Sequence, residues 1–493
     1  MRFPILSPEE AAALIKDGEC IGLSGLTQAG AVKLIPAALA ARAEALRANG
    51  QQFSLTVLIG GSPNAGTEDA MAHAGAMVRC MPFQSSPGLR QCINTQNVRY
   101  CDIHLSKLAQ EMRYGHVPRV TTAVIEAAEL TDAGEIVLTT GAGNSACFCA
   151  EAERVIIELN QYHSPRLREL HDVYVPLDPP HREAIPLQTP AQRLGSEVVR
   201  VRPEKIAAVV LNNQPDGVPP FKETTEETAR IGRHIVRFLE NEYANGRLPR
   251  EFPPVQSGLG NVANAVLASM GDSSIIPPFS MYTEVIQDSV ISLMQQGRCL
   301  FASSNTLTLS NGALETVYRD FDFFKDKILL RGMEISNNPE IIRRLGVISM
   351  NTAIEIDVCG NVNSSHLFGS GMVNGIGGSC DFARASRLSI FSCPSTAKDG
   401  SISSIVPMVS HVDQPEHDVS VVVTEQGLAD LRGLAPRERA ERIVEHCAHP
   451  AYRPLLRRYL ALSTSGHSPN TLKKAFAFHT AYQDTGSMLN ADL

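Results

Sequence analysis

Two stretches of the chain repeat one grammar and limit the folds open to it. GLSGLTQAGAVKLIPAAL, from Gly22 to Leu39, and PVQSGLGNVANAVLASM, from Pro254 to Met270, each run from an apolar strand through a glycine loop into a helix. A second pair, TAVIEAAELTDAGEIVLTT from Thr122 and TAIEIDVCGNVNSS from Thr352, follows in the same order, each ahead of a glycine-rich turn. Around them lie FSLTVLIGG, EIVLTTGAG and RVIIELN, apolar runs of strand length separated by helical segments. Strands that are apolar on both faces need helices on both sides, the arrangement of a largely parallel α/β sheet. A chain of 493 residues exceeds what one core sustains. The repeat therefore predicts two similar α/β units, residues 1–230 and 231–493, divided within the Pro-, Gly- and charge-rich crossover KIAAVVLNNQPDGVPPFKETTEETARIG. The cleft between such halves is the expected ligand site.

Charge and composition remove several classes of function. A net charge of −8 with no concentrated Lys/Arg tract argues against a nucleic-acid binder, which needs a basic face to release counterions. No apolar run reaches the roughly 18 residues of a membrane span. The N-terminus MRFPILSPEEAAALI meets Pro4, Pro8, Glu9 and Glu10 before a signal-peptide core can form, and Ser7, Pro8 and Glu10 read instead as a helix start. Eleven cysteines without framework spacing fit a reducing compartment, so the expected location is the cytoplasm. Cys147 and Cys149 are too close together and too isolated for a zinc site, and no metal is expected.

MYTEVIQDSV, Met281–Val290, sets one glutamate in an apolar, strand-like run. Tyr282, Val285, Ile286 and Val290 leave Glu284 few routes to bulk water, so it reads as a surface carboxylate at a strand end or as a catalytic one. Two glycine loops bear on the choice. Gly258 and Gly260 lie between a strand and a helix, where backbone amides can face an anion or oxyanion. GSGMVNGIGGSCDFARAS holds Gly369, Gly371, Gly375, Gly377 and Gly378, which points to close approach of backbone to a ligand. No G-K-[ST] ends this loop and no G-x-G-x-x-G with a following acid occurs there, so it is neither a P-loop nor a dinucleotide fingerprint. Ser24, Ser257 and the cysteines lack a base at motif spacing, which argues against serine or thiol hydrolase chemistry.

QSGLGNVANAV, YTEVIQDS, EISNNPEIIRRLGVISMN, NGIGGSCDFARAS, CPSTAKDGSISSIVPMVSHVD and TEQGLADLRGL occur in this order. Together they resemble the acetyl-CoA hydrolase/transferase family of class I CoA-transferases, over essentially the whole chain, and most resemble its bacterial members that exchange CoA between succinate and acetate or propionate. The resemblance implies two CoA-transferase-type α/β domains, a homodimer, and a catalytic glutamate, Glu284, in the second domain at the interdomain cleft. It implies amide donors near Leu259 and Gly260 and at Gly378, and places Asn337 and Glu425 around the nucleophile. The expected CoA contacts are Gly258, Leu259, Gly260, Asn261, Val262, Asn374, Gly378 and Lys398. Acyl-CoA and short carboxylic acids are the implied partners, with CoA as substrate and no prosthetic group.

A carboxylate at Glu284 can attack an acyl-CoA carbonyl to give an acyl-glutamyl anhydride; the released CoA thiolate then attacks the glutamyl carbonyl, leaving a glutamyl-CoA thioester. An acceptor acid reverses both steps, giving ping-pong kinetics. Burial alone would neutralise the carboxylate, so the site must supply hydrogen-bond donors to keep a nucleophile. Two alternatives share the scaffold: an acyl-CoA hydrolase, in which water discharges the thioester, and a non-catalytic nucleotide-binding regulator. The segment PFQSSPGLR, Pro82–Arg90, is expected to help close the pocket, with Arg90 either pairing with a far carboxylate of succinate or free at the surface.

Overall fold

Seven parallel strands make up most of the first sheet in the computed structural model, which describes residues 2–60, 65–219 and 224–493. Their order across the sheet is Arg99–Tyr100, Met77–Met81, Leu55–Ile59, Cys20–Leu23, Thr122–Leu130, Arg154–Asn160 and Ile206–Asn212. Glu135–Leu138 and Val199–Arg200 add an antiparallel flap at the end of Thr122–Leu130. The second sheet runs Ile328–Leu330, Cys299–Ser304, Phe279–Tyr282, Val255–Ser257, Ile348–Thr352, Leu388–Ser392 and Val421–Thr424, all parallel, and ends in antiparallel Gly427–Asp430. The central strands are buried on both faces, as their apolar runs require, while the outer ones expose residues such as Val78 and Leu300.

The two sheets have one topology. In each, the first strand of the unit is central, the next three main-sheet strands follow outward on one side, and the last three on the other. Cys20–Leu23 and Val255–Ser257 are these central strands, and each leads into the tripeptide Ser-Gly-Leu, Ser24–Leu26 and Ser257–Leu259. The second sequence correspondence shifts by one strand. The counterpart of Thr122–Leu130 is Ile348–Thr352, whereas Glu355–Asp357 of TAIEID pairs in a separate three-stranded sheet with Val362–Asn363 and Ile405–Val406.

The helix Glu226–Ala244 starts at Thr225, whose hydroxyl accepts from the Thr228 amide, and runs through position 230. Its buried face, Ile231, Ile235, Val236 and Leu239, packs in the core of the second sheet with Val255, Met281 and Ile348. We propose that the division between the units lies ahead of this helix.

The units are stitched together at the ends of their strands. Thr140 accepts from the Leu307 amide at 2.8 Å, the Ala142 amide donates to Asn305 at 3.0 Å, and Gly141 bridges Thr306. An excursion of the first unit after Asn160 reaches across the second: Leu167 and Leu170 enter the second sheet's core, and the Asp172 amide donates to Leu330 at 2.9 Å. Arg331 is fully buried against Asp172 and also donates to Ser303. No described helix is long and apolar enough to cross a membrane.

Candidate active site

Glu284 stands where the chain leaves the second sheet. Phe279–Tyr282 ends, Thr283 still donates to Ser303 at 2.9 Å, and after Glu284 the pair Val285–Ile286 joins Thr306–Leu307 in a separate two-stranded ladder. The break explains the lone charge in the apolar run. The backbone carbonyl of Glu284 accepts from the Asn305 amide at 3.0 Å and the Ser304 hydroxyl at 2.8 Å, which fixes the main chain and leaves the carboxyl free to project.

Asn337 donates from Nδ2 to Glu284 Oε2 at 2.7 Å, and its Oδ1 accepts from the Ser336 hydroxyl at 2.7 Å. It follows the short helix Met333–Ser336, which the first unit holds in place. The Met333 amide donates to Gly143 at 3.1 Å, and Arg113 grips Glu334 through two bonds of 2.6 and 2.9 Å. Arg182 adds a bond to Glu334 at 3.1 Å. This clamp escaped the sequence reading because its members are scattered along the chain.

Gly378 packs directly against the same carboxyl group. A Cβ at this position would lie 1.8 Å from Glu284 Oε2 and 2.5 Å from Asn337 Nδ2, so no other residue fits without moving the carboxylate. Part of the glycine density in this loop serves docking of the two units. A Cβ on Gly375 would lie 2.3 Å from Tyr100 Oη, the Gly375 amide donates to Gln84 at 3.0 Å, and the Ile376 amide donates to Asp102 at 2.9 Å.

Glu284 opens into a cavity of about 310 Å³ between the units. Gly258, Leu259, Asn374 and Gly378 line it from the second unit, Thr27, Phe83 and Ser85 from the first. The cavity lies at the carboxyl ends of Val255–Ser257 and Ile348–Thr352, where the strand order reverses, the usual ligand position in an open parallel sheet. The amides of Leu259, Gly260 and Gly378 donate to no group among the described residues. Thr27 and Gln28 form a tight turn with φ of 50° and 71°, uncommon for residues other than glycine, and the Thr27 hydroxyl meets that of Thr308 at 2.5 Å.

The other expected residues lie further out. Gly260, Asn261 and Val262 cap and begin the helix Asn261–Asp272 and are not among the cavity's lining residues. Lys398 is exposed at the tip of the hairpin Thr396–Ala397 and Ile402–Ser403. Glu425 is buried, accepts from the Ser395 amide and Gln426 Nε2, each at 2.8 Å, and does not line the cavity. Arg90 donates to the Ser85 carbonyl at 3.2 Å and is likewise outside the lining.

Burial pushes the Glu284 carboxyl up to about 7, against the Asn337 hydrogen bond, which lowers it, and with the nearby Asp381, which raises it further. Asp381 itself is pushed up to about 7 by burial while Ser106 holds it through its hydroxyl and amide at 2.7 and 3.1 Å. A half-buried carboxyl poised near neutrality beside free amide donors can act as a nucleophile whose tetrahedral products are stabilised in place. Burial pushes the Cys147 and Cys149 thiols up to about 12, which leaves them un-ionised at neutral pH.

Comparison with known proteins gives the family to which the chain is similar along its length. The acetyl-CoA hydrolase/transferase N-terminal domain matches residues 4–211, and the C-terminal domain of that family matches residues 314–460. The chain is 45% identical to the propanoyl-CoA:succinate CoA transferase of Escherichia coli K12, covering 98% of each chain. It is 44% identical to the succinyl-CoA:acetate CoA-transferase of Clostridium kluyveri, over 98% of this chain and 90% of that one. An acetyl-CoA hydrolase of Candida glabrata is 39% identical over 98% of this chain and 95% of its own. RipA from Yersinia pestis shares the fold with a TM-score of 0.71 at 23% identity, covering 92% of this chain and 96% of that one. The 4-hydroxybutyrate CoA-transferase of Porphyromonas gingivalis does so with a TM-score of 0.64 at 20% identity, covering 93% and 97%. With both domains matched and full-length relatives well above 30% identity, the chain belongs to the acetyl-CoA hydrolase/transferase family.

Proposed function

We propose that this enzyme is a CoA-transferase that moves CoA between succinyl-CoA and a short carboxylate, acetate or propionate, through a glutamyl-CoA thioester at Glu284. The observation that carries the reading is the contact of Glu284 Oε2 with Asn337 Nδ2 at 2.7 Å and with the Gly378 backbone, at the wall of the interdomain cavity. The substrate pair follows from the two bacterial relatives that carry these names. In the forward half-reaction the Glu284 carboxylate attacks the thioester carbonyl and CoA thiolate leaves. The thiolate then attacks the glutamyl carbonyl and expels the product acid, so the thioester bond is conserved on the enzyme. Each tetrahedral oxyanion meets the unpartnered amides of Leu259 and Gly378, both at the cavity wall, and each well-placed donor is worth about 3 kcal/mol. The protein acts as a homodimer in the cytoplasm and needs no prosthetic group.

Hydrolysis is the second reading, because fungal relatives at about this identity are named acetyl-CoA hydrolases. Succinyl-CoA incubated without an acid acceptor separates the two. A transferase accumulates a protein species heavier by the mass of CoA less water, mapping to the peptide containing MYTEVIQ. Borohydride reduces that thioester to an alcohol and inactivates the enzyme, and added acetate discharges the adduct and protects. A hydrolase loses the adduct to water on standing, and a label on cysteine or serine removes Glu284 from the mechanism.

The attacking species is the carboxylate, so kcat/KM for the acyl-CoA rises with pH and levels off above about 7, where Glu284 is ionised. Asn337→Ala removes the bond that favours the ionised form, and the acid limb moves to higher pH. An acid limb that stays near pH 4.5, the ordinary value for a glutamate, contradicts the assignment.

A further inference from the structure

We propose that Asn351 and Ser257 each present a neutral donor to a carbonyl oxygen of the substrate, in the same cavity as Glu284, and that these oxygens belong to the amides of the CoA arm. Both residues line the cavity and both are buried, Asn351 5% and Ser257 2% exposed. Asn351 Nδ2 and Ser257 Oγ have no hydrogen-bond partner among the described residues.

The orientation of Asn351 follows from a chain of bonds that begins at the backbone. The Met350 amide donates to Gln256 Oε1 at 3.1 Å, so Gln256 presents its Nε2 to Asn351. That Nε2 donates to Asn351 Oδ1 at 3.1 Å, so Nδ2 is the end of Asn351 left over. Flipping either amide would oppose two donors or two acceptors. The fold thus spends one main-chain hydrogen bond and one glutamine to hold a donor without a protein partner at the carboxyl ends of two adjacent central strands. Ser257 lies on the neighbouring strand, in register with Met350, with its own hydroxyl unused. Buried donors are seldom left unpaired, and the cavity that both residues line is where a partner can enter.

The same lining decides the chemistry of that partner. No lysine, arginine or histidine is among the lining residues, so an ionised group held here would lose its hydration without a countercharge. An amide carbonyl accepts a bond from either donor without that cost, and the pantetheine arm of CoA carries such groups on the side of the thioester away from the acyl chain. This assignment rests on the reading of the protein as a CoA-transferase.

Asn351→Asp keeps an acceptor for Gln256 Nε2 and replaces the free donor with a carboxylate oxygen, which also brings a negative charge, whereas Ser257→Ala brings none, so the two variants are read together. Ser257→Ala removes a hydroxyl that no protein group uses, so the thermal midpoint of the free protein stays level or rises. Calorimetric binding of CoA weakens at least about tenfold in Asn351→Asp and roughly three- to tenfold in Ser257→Ala. KM for acyl-CoA rises in step, while KM for acetate and for succinate is unchanged. Wild type prefers S-acetyl-N-acetylcysteamine to the acetyl thioester of a plain alkyl thiol, and both variants lose that preference. CoA binding and KM unaltered in both variants overturn the site and leave its donors to ordered water. A defect confined to succinate overturns the amide assignment in favour of a carboxylate. A wild type that binds CoA with this variant pattern yet transfers nothing refutes the transferase reading and leaves the donor site standing.

Discussion

Glu284→Gln abolishes transfer, with kcat/KM lowered at least about 10⁴-fold, while the protein becomes more stable at pH 8. The two effects have one cause. Glutamine keeps the acceptor for Asn337 Nδ2 and nearly the same volume, but it has no negative oxygen to attack a thioester. In the wild type the folded carboxyl titrates at about 7 rather than 4.5, because burial disfavours its charged form. A raised carboxyl contributes its full stabilisation below pH 4.5, where it is protonated in both states, and loses it progressively as pH rises through 7. Above that the folded protein holds an ionised group in a place that resists charge, at a cost of about 2 to 3 kcal/mol. Removing the titration removes the cost, so the stability difference between variant and wild type grows from pH 5 to pH 8. Thermal midpoints across that range measure it, and a midpoint that falls at pH 8, or activity above about a hundredth of wild type, contradicts the role given to Glu284.

Much of the fold was legible because parallel strands buried on both faces leave largely apolar runs such as Leu55–Ile59 and Val421–Thr424, a pattern that few other arrangements produce. The repeat was legible at the ends of the central strands, where Ser-Gly-Leu runs from Ser24 in one and from Ser257 in the other. It was misread one strand later, since TAVIEAAEL and TAIEID are alike in composition and composition does not say which strand pairs with which. The side sheet of Glu355–Asp357 depends on Ile405 and Val406, some fifty residues on, and no local pattern announces it.

At the site, Glu284 was visible as a charge without an exit, and the glycine loop as more glycine than a turn needs. What the sequence concealed is the support. Arg113 lies 221 residues from Glu334 and Arg182 lies 152, and an arginine that holds the helix ahead of Asn337 looks like any other arginine until the chain is folded. Asn351 and Ser257 were hidden differently. Polar residues at strand ends are common, and only the bonding of Gln256 distinguishes a donor with a partner from one without.

Gly378→Ala lowers kcat about 10²- to 10³-fold, although alanine is the smallest change available. The backbone is not the obstacle, since Gly378 has φ of −90°, which alanine adopts freely. The obstacle is the position of one methyl group. Its carbon would sit 1.8 Å from Glu284 Oε2 and 3.0 Å from Cδ, distances at which the carboxyl must swing away, and the Asn337 bond goes with it because Nδ2 is only 2.5 Å from the same point. The nucleophile then leaves the neighbourhood of the Gly378 amide, so attack geometry and oxyanion stabilisation fail together. Two further readings follow. With the Asn337 bond lost, residual activity shows an acid limb displaced to higher pH, and the borohydride-sensitive adduct forms more slowly in proportion to kcat. Gly312→Ala provides the control: it lies in the helix Asn311–Arg319, a Cβ there meets nothing within 4 Å, and full activity with equal or slightly greater stability is expected. Gly378→Ala within threefold of wild type would mean that the carboxyl has another productive position, and the close packing of Gly378 against Glu284 would then be structural rather than catalytic.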